Sequence, residues 1–399
     1  MISLEIPRRL RGVATMARDV AQGMFRPISR KYDRAEHEYP VELDSLRAIV
    51  DGMASGGSAI GATEIKREKS ERKGVRNGKN MAAVLNVEAL CWGDLGLLLT
   101  IPGQGLGNAA IAAVATPEQK ERFDGKWAAM AITEPSTGSD SAAIRTTARL
   151  DEATDEWVIN GEKIFVTCGK RADLVVVWAT IDREQGRAAI KSFVVERGRP
   201  GFEVIRLDKK LGIRASDTAT IHFTDCRVPR TNILGSEEIQ TRKGFAGVMQ
   251  TFDNTRPVVA AMAVGVARAS LDRTRELLRL EPRWRRPRWQ LDATEAELQR
   301  LEAELESARL LTLKAAWMAD NNQPNSMHAS MAKAKAGRMA NEVTLQCVTL
   351  CGALGYSEDE LLEKWARDSK ILDIFEGTQQ IQQLIIARRL LGKSSRELR

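Results

Sequence analysis

The chain has 399 residues, with 60 Lys plus Arg against 53 Asp plus Glu, a formal charge of +7. Hydrophobic residues make up 43% and charged residues 28%, a globular balance that excludes disorder and collagen-like repeats. At roughly 100–200 residues per domain the length implies about two to four domains, with a core large enough to need no disulfide or metal staple.

The modest positive excess helps attract an acidic small molecule and is weak evidence for nucleic acid. His37, His222 and His328 lie far apart and never at metal-ligand spacing. The cysteines form no C-x-x-C, and Cys347 and Cys351, four apart, read as one helix face rather than a zinc site. No metal is expected. No window approaches ~18 uninterrupted apolar residues, so no membrane span is expected. The N-terminal MISLEIPRRLRGVATMARDV lacks the apolar core of a signal peptide; its arginines alternate with single apolar residues as on a solvated helix. Reduced thiols in a cytoplasmic compartment are the expectation.

Residues 1–125 read mainly as helices. Helical spacing predicts one helix between Arg34 and Val50 and a more apolar one from Met81 to Leu99. The glycine-rich and then charged segment between them, residues 52–80, has loop composition. Residues 126–240 change character. Short β-rich runs occur at Glu156–Ile159, Lys163–Val166, Leu174–Thr180, Ser192–Val195, Phe202–Ile205 and Thr218–Phe223. Asn160-Gly161, Cys168-Gly169 and Arg199-Pro200-Gly201 supply turn signals between them. With no helices between the runs, an antiparallel barrel or sandwich is predicted rather than a parallel sheet. Residues 241–399 are helical again: Val258–Leu280, a stripe at Leu291, Thr294, Leu298, Leu301 and Leu305, then helices near Ala329–Leu350 and Thr378–Leu391. The stripe fits a coiled coil, but its few heptads favour a helix in a bundle.

Some motifs favour plain readings. Gly103-Gln-Gly105-Leu-Gly107 lacks a third glycine at dinucleotide-loop spacing and no strand precedes it, so a turn between helices is preferred. The Arg283-to-Trp289 run mixes cations with indoles, but Pro282 and Pro287 mark it as an exposed connection. Two β-region segments carry more chemistry. Ala131–Asp140, AITEPSTGSD, offers the hydroxyls of Thr133, Ser136, Thr137 and Ser139 on a turn enforced by Pro135 and Gly138. Such a loop suits a heteroaromatic edge or a phosphate, although a plain turn is the alternative. Ile159–Thr167, INGEKIFVT, adds an aromatic and a hydroxyl. Finally, Ile374–Ile381, IFEGTQQI, sets Glu376 in an apolar stretch just before a helix. Apolar surroundings would raise its pKa and suit it to general-base work; an ordinary first-turn glutamate is the other reading.

Together ITEPSTGSD, INGEKIFVT, the FDNTRPVVAA helix start and IFEGTQQIQ resemble the acyl-CoA dehydrogenase family, in its order and approximate spacing over nearly the whole chain. The resemblance implies a multidomain α+β fold: an N-terminal helical domain at 1–125, a central β-barrel or sandwich at 126–240 and a C-terminal four-helix bundle at 241–399. It implies a flavin-dependent oxidoreductase that uses FAD to convert an acyl-CoA to the trans-2-enoyl-CoA. In the family a glutamate removes the α-proton while the β-hydrogen leaves as hydride to flavin N5. By motif match Glu376 is the base. Met130, Ile132, Thr133 and Ser139 line the flavin from one side, while Phe165, in place of the family's tryptophan, and Thr167 lie on its other face. Thr378 and Gln380 reach its diphosphate or adenosine. Ser139, Asp253, Arg256 and Gly377 fall where the family contacts CoA or the acyl thioester. An electron-transferring flavoprotein is the implied acceptor.

Two departures matter. The family's R-x-x-F-G arm, donated to the neighbouring subunit's flavin, falls on Glu281, Trp284 and Arg285, and a carboxylate beside a diphosphate is repulsive. In its Q-x-x-G-G-x-G segment Thr349 takes the glutamine's place and Ala353 one glycine's. The family also contains α2β2 enzymes that draw base and arm from different chains, so a homologous partner subunit is the leading expectation. Bacterial heterotetramers of this kind often act on bulky substrates such as sterol side chains. An acyl-CoA oxidase-like flavoenzyme and a non-catalytic subunit are the alternatives.

Overall fold

The computed structural model describes residues 6–46, 78–102, 106–239, 246–280, 293–394 and 397, with side chains in the first turns of the 246–280 helix left out up to residue 254. The Glu281, Trp284 and Arg285 positions, the Arg283-to-Trp289 run and nearly all of the 52–80 segment lie outside the described residues, as do Gly103 to Gly105.

The first helices are α1, Arg8–Val20, and α2, Arg26–Arg34, joined without a break through a π-helical turn at Ala21–Phe25. Leu10, Ala17, Ala21 and Phe25 are buried along one side, so the arginine-rich N-terminus is a solvated helix with one seated face. The Arg34–Val50 expectation is corrected: α2 ends at Arg34, residues 35–42 are turn and irregular chain, and helical structure resumes only at 43–46. Helix α3, Lys79–Gly93, begins where the Asp320 carboxylate accepts the backbone N–H groups of Gly78, Asn80 and Met81 at 2.9, 3.0 and 3.0 Å. Those are the orphan donors every helix start must satisfy. It stops at Gly93, where a Cβ would sit 2.8 Å from the Ala21 carbonyl oxygen. Asp94 then caps a further helical turn, Leu95–Leu98. Helix α4, Leu106–Val114, and a turn at Pro117–Arg122 lead into the sheet.

Seven strands follow: β1 Ala128–Ala131, β2 Thr147–Asp151, β3 Glu156–Thr167, β4 Leu174–Thr180, β5 Ile190–Glu196, β6 Phe202–Leu207 and β7 Thr218–Pro229. Their order is β1-β4-β2-β3-β7-β6, with β5 on β4. Most pairs are antiparallel, but the all-antiparallel expectation is corrected: β1 runs parallel to β4, from Ala128↔Leu174 to Ala131↔Val177, and β2 meets β4 in parallel at Thr147↔Thr180. Parallel neighbours need a long crossover, and here the β2–β3 hairpin supplies it instead of a helix. The Asn160-Gly161 turn is also corrected. Gly161 has φ 151° and sits at a register shift inside β3, where a Cβ would meet Thr146 Oγ1 at 2.5 Å. The glycine permits an irregular strand rather than ending one.

The last third contains α5 Ala246–Leu280, α6 Ala293–Asp320, α7 Ser326–Cys351, α8 Leu362–Ser369 and α9 Gln379–Leu391. Leu298, Leu301 and Leu305 are buried as α6 packs on α5 and α7, the bundle reading of the leucine stripe. Cys347 and Cys351 are both buried on α7. A charged knot joins the three regions. Lys364 Nζ reaches Asp94 at 2.6 Å and Asp368 at 2.5 Å, and Asp368 accepts the Ile213 N–H at 2.5 Å. Among the described residues no helix is long and apolar enough to cross a membrane.

Candidate active site

Glu376 lies in the connection between a 3₁₀ turn, Lys370–Asp373, and α9. Thr378 caps α9 by accepting from the Ile381 N–H at 3.4 Å, so the helix starts three residues after the glutamate. Gly337 on α7, where a Cβ would lie 2.5 Å from the Leu372 carbonyl oxygen, lets this connection approach closely. Glu376 and Gly377 have φ of 57° and 94°, two successive left-handed residues. For a glutamate this costs roughly 1–2 kcal/mol and persists only where surroundings enforce it. They do. Gln382 Nε2 donates to the Glu376 and Gly377 carbonyl oxygens at 3.0 and 3.1 Å, and Lys333 Nζ donates to the latter at 2.6 Å.

The Glu376 side chain is buried, and its Oε2 accepts from Thr255 Oγ1 at 2.5 Å. Burial pushes its pKa up, and the Thr255 hydroxyl, the Arg256 charge and the Lys333 charge offset part of that rise. Burial likewise pushes Lys333 down to about 8, against the pull of Glu376 and Asp373. A desolvated carboxylate held by one hydroxyl is a strong proton acceptor in a dry site.

The second cluster lies on the sheet. Glu134 and Thr137 exchange backbone hydrogen bonds of 3.0 and 3.1 Å across Pro135-Ser136, so ITEPSTGSD closes into a tight hairpin. Below it is a buried ion pair: Lys163 Nζ bonds Glu134 Oε1 at 2.8 Å and the Ile132 carbonyl oxygen at 3.1 Å. Glu134 also accepts the Arg145 and Thr146 N–H groups and the Thr146 hydroxyl. Burial pushes the Glu134 carboxyl up, but Lys163 and these donors outweigh it and hold it below its ordinary value. Burial pushes Lys163 down to about 8. The Ile164 N–H then donates to the Thr133 carbonyl oxygen at 2.9 Å, tying hairpin to strand. Between Lys163 and Val166 the β3–β7 register slips, and the bulge puts Phe165 at φ 57° with 63% of it exposed. A bulge that turns a ring outward beside a hydroxyl loop is a built feature.

Of the residues singled out by sequence, Met130 is buried on β1, Ile132, Thr133 and Thr167 are half-buried, and Ser139 is exposed just after the hairpin. Thr378 is half-buried and Gln380 exposed at the start of α9. Arg256 is buried next to Thr255 on α5, and Asp253 lies on the same helix with its side chain outside the described set. Helix α4 packs on both β1 and α5, bridging the two clusters. The structure adds Thr255, Lys333, Gln382, Glu134 and Lys163. The sequence signal for the two lysines was a cation among mostly small or apolar neighbours, in SMAKAKAG, which also holds Lys335, and GEKIFV.

The exposed Phe165 face, the Thr133 and Thr167 hydroxyls and a buried Thr137 Oγ1 with no protein partner among the described residues fit a planar heteroaromatic cofactor with polar edges. Chemically, this scaffold offers a buried carboxylate able to accept a proton and a surface able to seat a planar ring. Residues 129–226 match the acyl-CoA dehydrogenase middle domain and 242–391 the acyl-CoA dehydrogenase C-terminal domain. The acryloyl-CoA reductase (NADH) of Anaerotignum propionicum is 32% identical over 391 residues, covering 95% of this chain and 93% of the relative. The mitochondrial short-chain specific acyl-CoA dehydrogenase of Mus musculus is 33% identical over 395 residues, covering 98% of this chain and 92% of the relative. The solved butyryl-CoA dehydrogenase of Megasphaera elsdenii superposes with a TM-score of 0.86 at 30% identity, over 98% of this chain and 100% of that one. The chain therefore belongs to the acyl-CoA dehydrogenase family. It is an oxidoreductase acting on CH–CH bonds of acyl-CoA, in a family that depends on FAD.

Proposed function

We propose that the chain catalyses α,β-dehydrogenation of an acyl-CoA thioester to the trans-2-enoyl-CoA, with Glu376 as the base. The observation that carries this reading is the buried Glu376 carboxylate on its clamped left-handed turn, bonded to Thr255. Glu376 takes the α-proton, and burial keeps it basic enough to do so. FAD, when bound, supplies the acceptor for the β-hydride. Met130, Ile132, Thr133 and Ser139 would hold one side of its ring, and Phe165 and Thr167 the other. Thr378 and Gln380 would hold its diphosphate or adenosine. Ser139, Asp253, Arg256 and Gly377 orient the CoA thioester, and exclusion of water strengthens each of these polar contacts.

The test is anaerobic mixing with acyl-CoA, following flavin bleaching and the loss of two hydrogens from the product by mass spectrometry. Glu376→Gln should bind acyl-CoA normally and lose roughly 10³-fold in flavin reduction. Near wild-type reduction would remove Glu376 from its role.

The active assembly is an α2β2 heterotetramer in which a homologous partner supplies the flavin-binding arginine arm, with an electron-transferring flavoprotein as acceptor. Besides Glu281, Trp284 and Arg285 in the sequence, the Thr349 hydroxyl supports it by bonding back to the Leu345 carbonyl oxygen of its own helix at 3.1 Å. A side chain satisfied within its own helix is not extended toward a neighbour. The flavin-to-chain ratio decides the assembly: little flavin in the chain alone and two per tetramer with the partner are expected. A fully active homotetramer with four flavins would refute it.

A further inference from the structure

Lys333 has no place in the reaction as described above. It is 0% exposed on α7, it donates to the Gly377 carbonyl oxygen at 2.6 Å, and among the described residues it makes no ion pair. Among the described residues the groups around the base are few. Helix α5 presents Thr255 and Arg256, α7 presents Lys333, and the 3₁₀ turn presents Asp373, which acts on Lys333. Helix α9 contributes the amides Gln379 and Gln382, its cations Arg388 and Arg389 being in its last turn. Lys333 is thus one of two cations acting on Glu376, and it also bonds to the turn that carries it.

We infer that Lys333 is a positioning residue for the proposed base: its ammonium pins the Gly377 carbonyl, which fixes the Glu376 carboxylate, and its charge favours the carboxylate over the neutral acid. The two contributions separate experimentally. The inference rests on the assignment of Glu376, so Glu376→Gln is run alongside.

Lys333→Met removes both the donor and the charge. Lys333→Gln keeps an amide donor within a buried site but removes the charge. In the flavin-loaded assembly, Lys333→Met should lower the limiting rate of flavin reduction roughly 10- to 100-fold with little change in KM for acyl-CoA, the scale of a slightly misplaced reacting group. It should also move the acid limb of the pH–rate profile upward by about one unit, as expected when a nearby opposite charge is lost. Lys333→Gln should regain much of the rate while keeping the displaced limb. A merely structural lysine would lower the melting temperature without moving the limb. If Lys333→Met does not fold, Lys333→Gln alone decides: a displaced limb supports the inference, and a wild-type limb overturns it. If Glu376→Gln is inactive while both lysine variants keep the wild-type profile, only the role of Lys333 falls. If Glu376→Gln stays active, the assignment of the base falls first.

Discussion

The sheet cluster and the Glu376 turn solve the same problem with similar parts. Each carries a non-glycine residue in the left-handed region, Phe165 at φ 57° and Glu376 at φ 57°, and each is held by a fully buried lysine donating to a main-chain carbonyl. The difference lies in what else the lysine touches. Lys163 is spent on Glu134, an ion pair with four further bonds organising the hairpin. Among the described residues Lys333 has no such hydrogen-bonded carboxylate, and its charge acts on Glu376 and Asp373. Two buried ammoniums, each depressed to about 8, thus sit in different surroundings: one is paired within a scaffold, the other faces the carboxylate proposed as the base.

Removing the carboxylate in each cluster should break this symmetry. Glu134→Ala strands the Lys163 charge in the interior and should cost about 3–5 kcal/mol of stability by chemical denaturation, with loss of bound flavin. A cost under about 1 kcal/mol would mean that the pair is dispensable. Thr255→Val removes the hydroxyl that Glu376 accepts from. A hydrogen bond to a charged group is worth roughly 1.5–3 kcal/mol, so the acid limb of flavin reduction should rise by about one unit or more. The smallest effect concerns stability. Burial raises the folded-state pKa of Glu376 above its unfolded value, so the native state holds the proton more tightly. Stability associated with the neutral acid is full below the unfolded pKa and is lost as pH rises through the folded one. Glu376→Gln, which never ionises, should therefore be more stable than wild type at pH 8 by roughly 0.5–2 kcal/mol, with the gain vanishing at pH 4. Equal stability at both pH values would show that Glu376 is not desolvated.

Pattern alone located elements whose burial and propensity agree. Leu174–Thr180 is a fully buried β-branched run, and its strand bounds match the sequence reading. Ala128–Ala131 and Thr147–Asp151 escaped because alanine and aspartate are poor strand formers and only pairing makes them strands. Asn160-Gly161 misled because the same glycine freedom that closes a hairpin also permits an irregularity in a continuous strand. At the site, Glu376 and Phe165 were legible from their motifs, whereas Glu134, Lys163 and Lys333 were not. A charged residue in sequence reads as surface by default, and only the three-dimensional partner shows that it is buried.

Removal of the α-proton by Glu376 can be read out by α-hydrogen exchange. A tightly bound acyl-CoA analogue unable to lose its β-hydrogen is incubated with enzyme in D2O, and deuterium at the α-carbon is read by mass spectrometry. With Glu376 as the base, wild-type enzyme should catalyse exchange and Glu376→Gln should abolish it at undiminished binding. Exchange at the wild-type rate in Glu376→Gln would contradict that role.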